Sequence, residues 1–270
     1  MPRLRSPHER TRGDDEAVKA RLNVPLAVTL VLGAFLLVAL NDVGLLDGAR
    51  IQRGLDNAGI FFADMVPPDT SVLPEVSRAL IETIQIAFAG TMVGFVVALP
   101  LALLASASLV PYWVTLPVKL LLAFVRTVPA ILWAIVFVVM VGLGPAAGTL
   151  GVALYSVGYL GKIFYELFEG TDPEVMEAVR GVGCGRLQLA RHAVLPEASN
   201  GIVSQLLFMF EYNVRASSIM GFVGAGGIGY YLLGYVQTLE YQSLLMAVLV
   251  TLAAVLVIDR ASSFVRAALR

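Results

Sequence analysis

The chain has 270 residues, of which 58% are hydrophobic and 14% charged, with a formal net charge of −1 and a mean hydropathy of +0.80. Soluble domains run near 45–50% apolar and about 25% charged, so this composition excludes a water-soluble globular fold. The near-zero net charge gives no basis for binding nucleic acid. Between Ala79 and Gly161 the only charges are Glu82, Lys119 and Arg126, a density that suits a surface facing lipid and not one facing water.

In chain order, residues 1–22 form a charged tail with six basic side chains (Arg3, Arg5, Arg10, Arg12, Lys19, Arg21) and no cleavable-signal pattern. A hydrocarbon core of roughly 30 Å takes about 20 helical residues. Six apolar runs meet or approach that length: Val24–Leu40, Leu80–Ala105, Leu116–Val141, Thr149–Phe168, Ala198–Phe210 with an extension, and Tyr241–Ile258. Gly90 and Gly94, spaced GxxxG, would let another helix approach closely. Pro100 and Pro129 should kink or break their runs. The predicted fold is therefore all-α and polytopic, with about six transmembrane helices.

Lysine and arginine placement orients it. With the N-terminus cytoplasmic, fifteen of the nineteen basic residues fall inside, and Arg50, Arg53, Arg78 and Arg215 fall outside. Both termini are then cytoplasmic, and the acidic stretch 41–77 is external. The expected organisation is a cytoplasmic tail over 1–22 and a transmembrane domain over 23–270, with a cytoplasmic loop at 170–196. Cys184 is the single cysteine, which leaves no intramolecular disulfide and no cysteine metal cluster.

That loop reads GTDPEVMEAVRGVGCGRLQLARHAVLP. Asp172 can cap a helix that has Pro173 at its first position and Glu174 in its first turn. Gly181, Gly183 and Gly185 should end it, and a basic amphipathic helix should follow from about Arg186 to Val194. Glu177-Ala178, Gly183 six positions after the glutamate, and Leu195-Pro196 further on resemble the EAA loop. That loop marks the membrane subunits of bacterial ATP-binding cassette importers. Val179 stands where that pattern has its second alanine. The resemblance implies a type I importer permease core whose coupling loop docks a cytoplasmic ATPase through Glu177, Ala178, Val179, Gly181, Gly183, Arg186, Leu195 and Pro196.

The segment FEYNVRASSIMGFVGAGGIG (Phe210–Gly229), with RTVP at Arg126–Pro129, is similar to permeases of the phosphonate importer family. From this resemblance follow the expected partners: the ATPase, an extracytoplasmic solute-binding protein, membrane lipid and a second copy of the chain, since six spans make half a pathway. No cofactor is expected, with ATP and magnesium held by the ATPase, because GxxxxGK[ST] is absent here. The chain itself should not be an enzyme. Phosphonates or related phosphorus oxyanions are the expected cargo. Methionine and glycine-betaine permeases share the same loop more distantly.

Gly224, Gly226 and Gly229 also match GxGxxG, but a dinucleotide fingerprint needs a βαβ unit and an acid about 20 residues on. Here Glu240 is too near. The glycines Gly221, Gly224, Gly226 and Gly227 instead suggest tight backbone packing or a helix break at a gate. Glu211 and Arg215, four apart, read either as a helical ion pair or as pathway groups, and Arg126 either snorkels to the interface or meets an anionic solute. A different class, the ion-gradient-driven secondary transporter, should show repeats and midplane ion sites; no clear repeat is present.

Overall fold

The computed structural model describes residues 7–268, with side chains from 25 to 268. The basic side chains of the expected tail, Arg3 to Arg21, and Arg270 lie outside what is described. The chain divides into two compact units, residues 1–64 and 65–270.

The first unit is two helices, α1 (Pro7–Asp42) and α2 (Gly48–Asp64). Within α1, Pro25–Asp42 is long and apolar enough to cross a membrane, and Leu30, Phe35 and Leu37 are exposed along it, as lipid contact requires. The Asp47 carboxylate starts α2 by accepting from the Ala49 and Arg50 amides at 3.0 and 3.2 Å. Ile51, Leu55 and Phe62 then fall on one exposed stripe of α2, the pattern of a helix lying in the membrane interface. The acidic content of residues 41–77 had concealed this helix.

The second unit runs α3 (Leu73–Ala105), α4 (Tyr112–Thr127), α5 (Ala130–Val141), α6 (Pro145–Glu169), α7 (Pro173–Gly181), α8 (Arg186–Leu189), α9 (Leu195–Met220), α10 (Ile228–Gln237) and α11 (Tyr241–Ala268). A single π-helical turn, Ala190–Val194, joins α8 to α9. The helix predicted over 186–194 is therefore α8 and this turn, running on into α9. By length and composition α1, α3 and α11 qualify as spans, and α4 with α5 forms a broken fourth. At 25 and 26 residues, α6 and α9 would each reach about 38 Å. They are less apolar because they sit inside the bundle, where neighbouring helices rather than lipid surround them.

Helix α6 is the centre, packed against α3, α4, α5 and α9. Its small residues make this possible. A β-carbon at Gly90 of α3 would stand 2.5 Å from Val152, and one at Gly94 2.5 Å from the Ser156 β-carbon. The GxxxG spacing thus marks the α3–α6 contact. Asn213 on α9 completes the buried seam, donating from Nδ2 to Thr91 Oγ1 on α3 at 2.8 Å and to Ser156 Oγ on α6 at 2.9 Å. Interhelical hydrogen bonds of this kind fix register where no hydrophobic force between helices exists.

On the opposite side α6 supports the helix break. A β-carbon at Gly158 would lie 2.8 Å from the Arg126 backbone nitrogen, and backbone cannot move aside as a side-chain tip can. Gly158→Ala is therefore expected to cost about 1–3 kcal/mol by overpacking, read as a lowered melting temperature in detergent. Gly234→Ala in α10, with nothing within 4 Å of the added carbon, is expected to be neutral or stabilising by up to about 1 kcal/mol. Equal shifts for the two variants would contradict this account of α6.

Candidate functional site

The loop between α6 and α9 folds as a knob at one end of the bundle. Asp172 Oδ1 accepts from the Glu174 amide at 2.8 Å, so α7 starts where its capping sequence places it. It ends at Gly181, and Gly183 follows at φ +80°, where a residue with a β-carbon is strained. Met176 is buried and Val179 packs against the core. One turn of this register sends Glu177, Ala178 and Gly181 outward. Val182 and Leu187 are 79% and 81% exposed, a large apolar exposure beside the charged side chains of Glu174, Glu177 and Arg186. Of the eight residues expected to dock a partner, Glu177, Ala178, Gly181, Gly183, Arg186 and Pro196 lie on the exposed surface. Val179 and Leu195 turn inward and anchor the knob.

Sequence reading missed how this knob is tied to the bundle. Arg180 Nη2 donates to the Ser108 carbonyl at 3.0 Å, reaching the turn between α3 and α4. Glu169, at the end of α6, accepts from the Ala107 amide and from Lys119 Nζ, each at 2.8 Å. Lys119 also stands 4.6 Å from the centre of the Tyr165 ring, a cation–π arrangement. Glu197 on α9 accepts from the Asp172 amide at 3.2 Å. A cavity of about 480 Å³ flanks these ties, lined by Ser108, Pro111, Arg180, Cys184, Arg186 and Leu189. No local spacing signals these ties, because their partners lie 62 and 72 residues apart in sequence.

The predicted interruption at Pro129 is a full break, with α4 and α5 meeting at 89°. Trp133 Nε1 donates to the Val125 carbonyl at 3.1 Å, and Thr127 Oγ1 to the Phe124 carbonyl at 2.7 Å, so side chains satisfy the carbonyls that the proline frees. Arg126 is half-buried at this break.

Glu211 and Arg215 do not pair with each other. Glu211 is buried and bonds Arg266 of α11 at 2.6 Å; Arg215 bonds Asp259 of α11 at 3.0 Å. The favourable four-residue spacing loses to partners on the neighbouring helix, since two charges in a membrane span gain more from separate countercharges than from one shared pair. Phe208, Tyr212, Arg215 and Ile219 form one exposed stripe along α9, although the rest of that helix is largely enclosed.

At the far end, the glycine segment breaks the helix between α9 and α10. A 3₁₀ turn, Gly221–Val223, follows α9, and Gly224, Gly226 and Gly227 all have positive φ. Gly221 and Gly229 meet face to face, with a β-carbon at Gly221 only 2.7 Å from the Gly229 α-carbon. The Gly227 amide donates to Glu82 at 2.8 Å and the Ile228 amide to Thr83 Oγ1 at 2.8 Å, which pins the segment to α3. The Gly144 amide donates to the Gly224 carbonyl at 2.8 Å. No βαβ unit surrounds GxGxxG here, and among the described residues no group of three or more His, Cys, Asp or Glu could hold a metal ion.

A family model described as a binding-protein-dependent transport system inner membrane component matches residues 94–270. A phosphite transport system permease protein of Stutzerimonas stutzeri is 38% identical over 240 residues, covering 88% of this chain and 87% of that protein. A phosphate-import permease protein of Mycolicibacterium smegmatis is 36% identical over 243 residues, covering 88% of this chain and 44% of that longer protein. Among solved structures, the inward-facing MetNI methionine ABC transporter superposes with a TM-score of 0.67 at 22% identity, over 75% of this chain and 99% of that one, which is a likeness of fold. With the family match running from the middle of α3 through the knob, the helix break and the glycine segment to the C-terminal residue, the chain belongs to the binding-protein-dependent transport system inner membrane components, as a permease subunit of an ATP-binding cassette importer.

Proposed function

We propose that this permease carries a phosphorus oxyanion, a phosphonate or phosphite, and that two copies enclose its pathway. The observation that carries the mechanism is the exposed knob, in which Glu177, Ala178, Val182 and Leu187 face outward from an anchored base. A cytoplasmic ATPase docks there, supplies the ATP and magnesium sites, and leaves this chain without a reaction of its own. Both termini are cytoplasmic on the basic-residue asymmetry, residues 1–22 are the tail, 23–270 the transmembrane domain and 170–196 the coupling loop. The phosphorus cargo rests on the phosphite and phosphate permeases that resemble this chain at 38% and 36% identity.

Closure of the ATPase moves α7 and its ties together. Arg180 draws on the α3–α4 turn, and Glu169 with Lys119 carries the motion into α4 and so to the break at Arg126. Continuity through the π turn carries it into α9, whose Glu211 and Arg215 move with their α11 partners. At the other end Gly221, Gly224, Gly226 and Gly227, held to Glu82 and Thr83, form the gate facing an extracytoplasmic solute-binding protein.

The test is uptake in proteoliposomes containing the permease, its ATPase and its binding protein. Uptake of phosphite or methylphosphonate should require ATP and survive an ionophore. Ionophore collapse without an ATP requirement would identify a secondary transporter. A binding protein that prefers methionine to methylphosphonate would remove the phosphorus assignment while leaving the importer mechanism standing.

A further inference from the structure

Six cations lie on the long helices α4, α6, α9 and α11. Lys119, Lys162, Arg215 and Arg266 each have a carboxylate at 2.6–3.0 Å. Arg126 and Arg260 have none among the described residues; Arg260 is exposed on α11, whereas Arg126 sits half-buried at the break between two apolar helices. An uncompensated charge at such depth costs roughly 2.5–3.5 kcal/mol on insertion scales, so its retention there calls for an anion.

Beside it stands an aromatic wall. Tyr155 stacks on Tyr212 with ring centres 5.7 Å apart, Tyr155 on Tyr159 at 6.5 Å, and Tyr159 on Phe208 at 6.2 Å. The Arg126 backbone lies against Gly158 of α6, the residue before Tyr159, with 2.8 Å between its nitrogen and a β-carbon placed at that glycine. Phe208 and Tyr212 are exposed in the single chain, on the α9 stripe that also carries Arg215. This stripe suits a water-filled pathway between two copies better than lipid, because Arg215 and Asp259 on that side remain 45% and 39% exposed.

We propose that Arg126, Tyr155, Tyr159, Tyr212 and Phe208 form an intramembrane half-site for a phosphorus oxyanion with a small organic substituent. The guanidinium fork takes two oxygens of the anion, the tyrosine hydroxyls donate to the remaining oxygen, and the ring faces receive the substituent. This rests on the phosphorus-importer reading above. It adds that the permease itself selects solute, in addition to any selection by a binding protein.

The experiment measures uptake of phosphite and methylphosphonate by the complete reconstituted transporter. Arg126→Lys keeps the charge and loses the fork; Tyr155→Phe and Tyr212→Phe each lose one hydroxyl. Each is expected to raise KM or lower uptake of both solutes at least fivefold. Phe208→Ala is expected to lower methylphosphonate uptake at least threefold relative to phosphite, a ratio that a merely structural residue would not move. Wild-type uptake in the Arg126 and tyrosine variants overturns the site, and so does uniform loss in all four variants with the ratio unchanged. A lipid headgroup offers the same phosphate chemistry, so uptake is compared in vesicles with and without phosphatidylglycerol. An Arg126→Lys defect that vanishes without the anionic lipid assigns the arginine to lipid and overturns the proposal. If the wild-type complex imports neither solute, the importer's phosphorus assignment fails first, and that outcome is distinct from loss confined to the variants.

Discussion

Arg266→Met should lower the melting temperature of the detergent-solubilised permease by roughly 6–12 °C, the shift that about 3 kcal/mol produces in a chain of this size. The reason is the carboxylate left behind. Glu211 is only 6% exposed, and its Oε1 accepts from Arg266 at 2.6 Å. Removing one partner of a buried pair costs about 3–5 kcal/mol, because the survivor keeps its desolvation without its countercharge. The converse change, Glu211→Gln, should cost less. Arg266 is 29% exposed, so its long side chain can turn toward the solvent or headgroup boundary. Replacing both together, Glu211→Leu with Arg266→Met, should recover most of the lost stability, since neither charge then remains buried. A double variant as unstable as the sum of Arg266→Met alone and Glu211→Leu alone would show that the residues act independently, and would remove the ion pair from the account of how α9 holds α11.

The prediction could not have been framed from sequence spacing, which paired Glu211 with Arg215. A four-residue interval says only that two side chains lie on one helix face. Which of them finds a partner on another helix depends on the crossing of α9 and α11, and the partners Asp259 and Arg266 are 44 and 55 residues away. The same limit hid the Glu169–Lys119 tie and the Arg180–Ser108 contact. What did read directly was local chemistry. Asp172-Pro173 started α7 as capping preference requires, Gly183 took the left-handed turn, and Pro129 broke its span. Gly90 and Gly94 read correctly as a close-approach face, although their partners on α6 could not be named. Helices α6 and α9 are expected from the sequence as spans, but not as the centre. Their polar residues depressed the apolar signal for the same reason that they are central: groups such as Asn213 and Ser156 are bonded inside the bundle and need no compatibility with lipid.

Gly183→Pro should reduce ATP-driven uptake to background while leaving the membrane bundle folded. Two independent properties of the residue are lost at once. Its backbone sits at φ +80°, and proline is fixed near −65°. Its amide donates to the Arg180 carbonyl at 2.9 Å, and proline has no amide hydrogen. The turn cannot form, so Val182 and Leu187 lose their common orientation with Glu177. The cost should stay local, because nothing lies within 4 Å of a β-carbon at Gly183 and the anchoring contacts of Met176 and Val179 belong to the preceding turn. Gly183→Ala keeps the amide and carries only the strain of a left-handed alanine, roughly 1–2 kcal/mol, so it should reduce uptake partially. The graded order glycine, alanine, proline is what separates a docking turn from an inert loop. The measurement pairs uptake with co-purification of the ATPase: the proline variant should lose both and keep the wild-type melting temperature within a few degrees. Full uptake by Gly183→Pro would mean that the knob is not where the ATPase pushes. The drive would then have to enter elsewhere at that end, for example through the α3–α4 turn, to which Arg180 joins the knob.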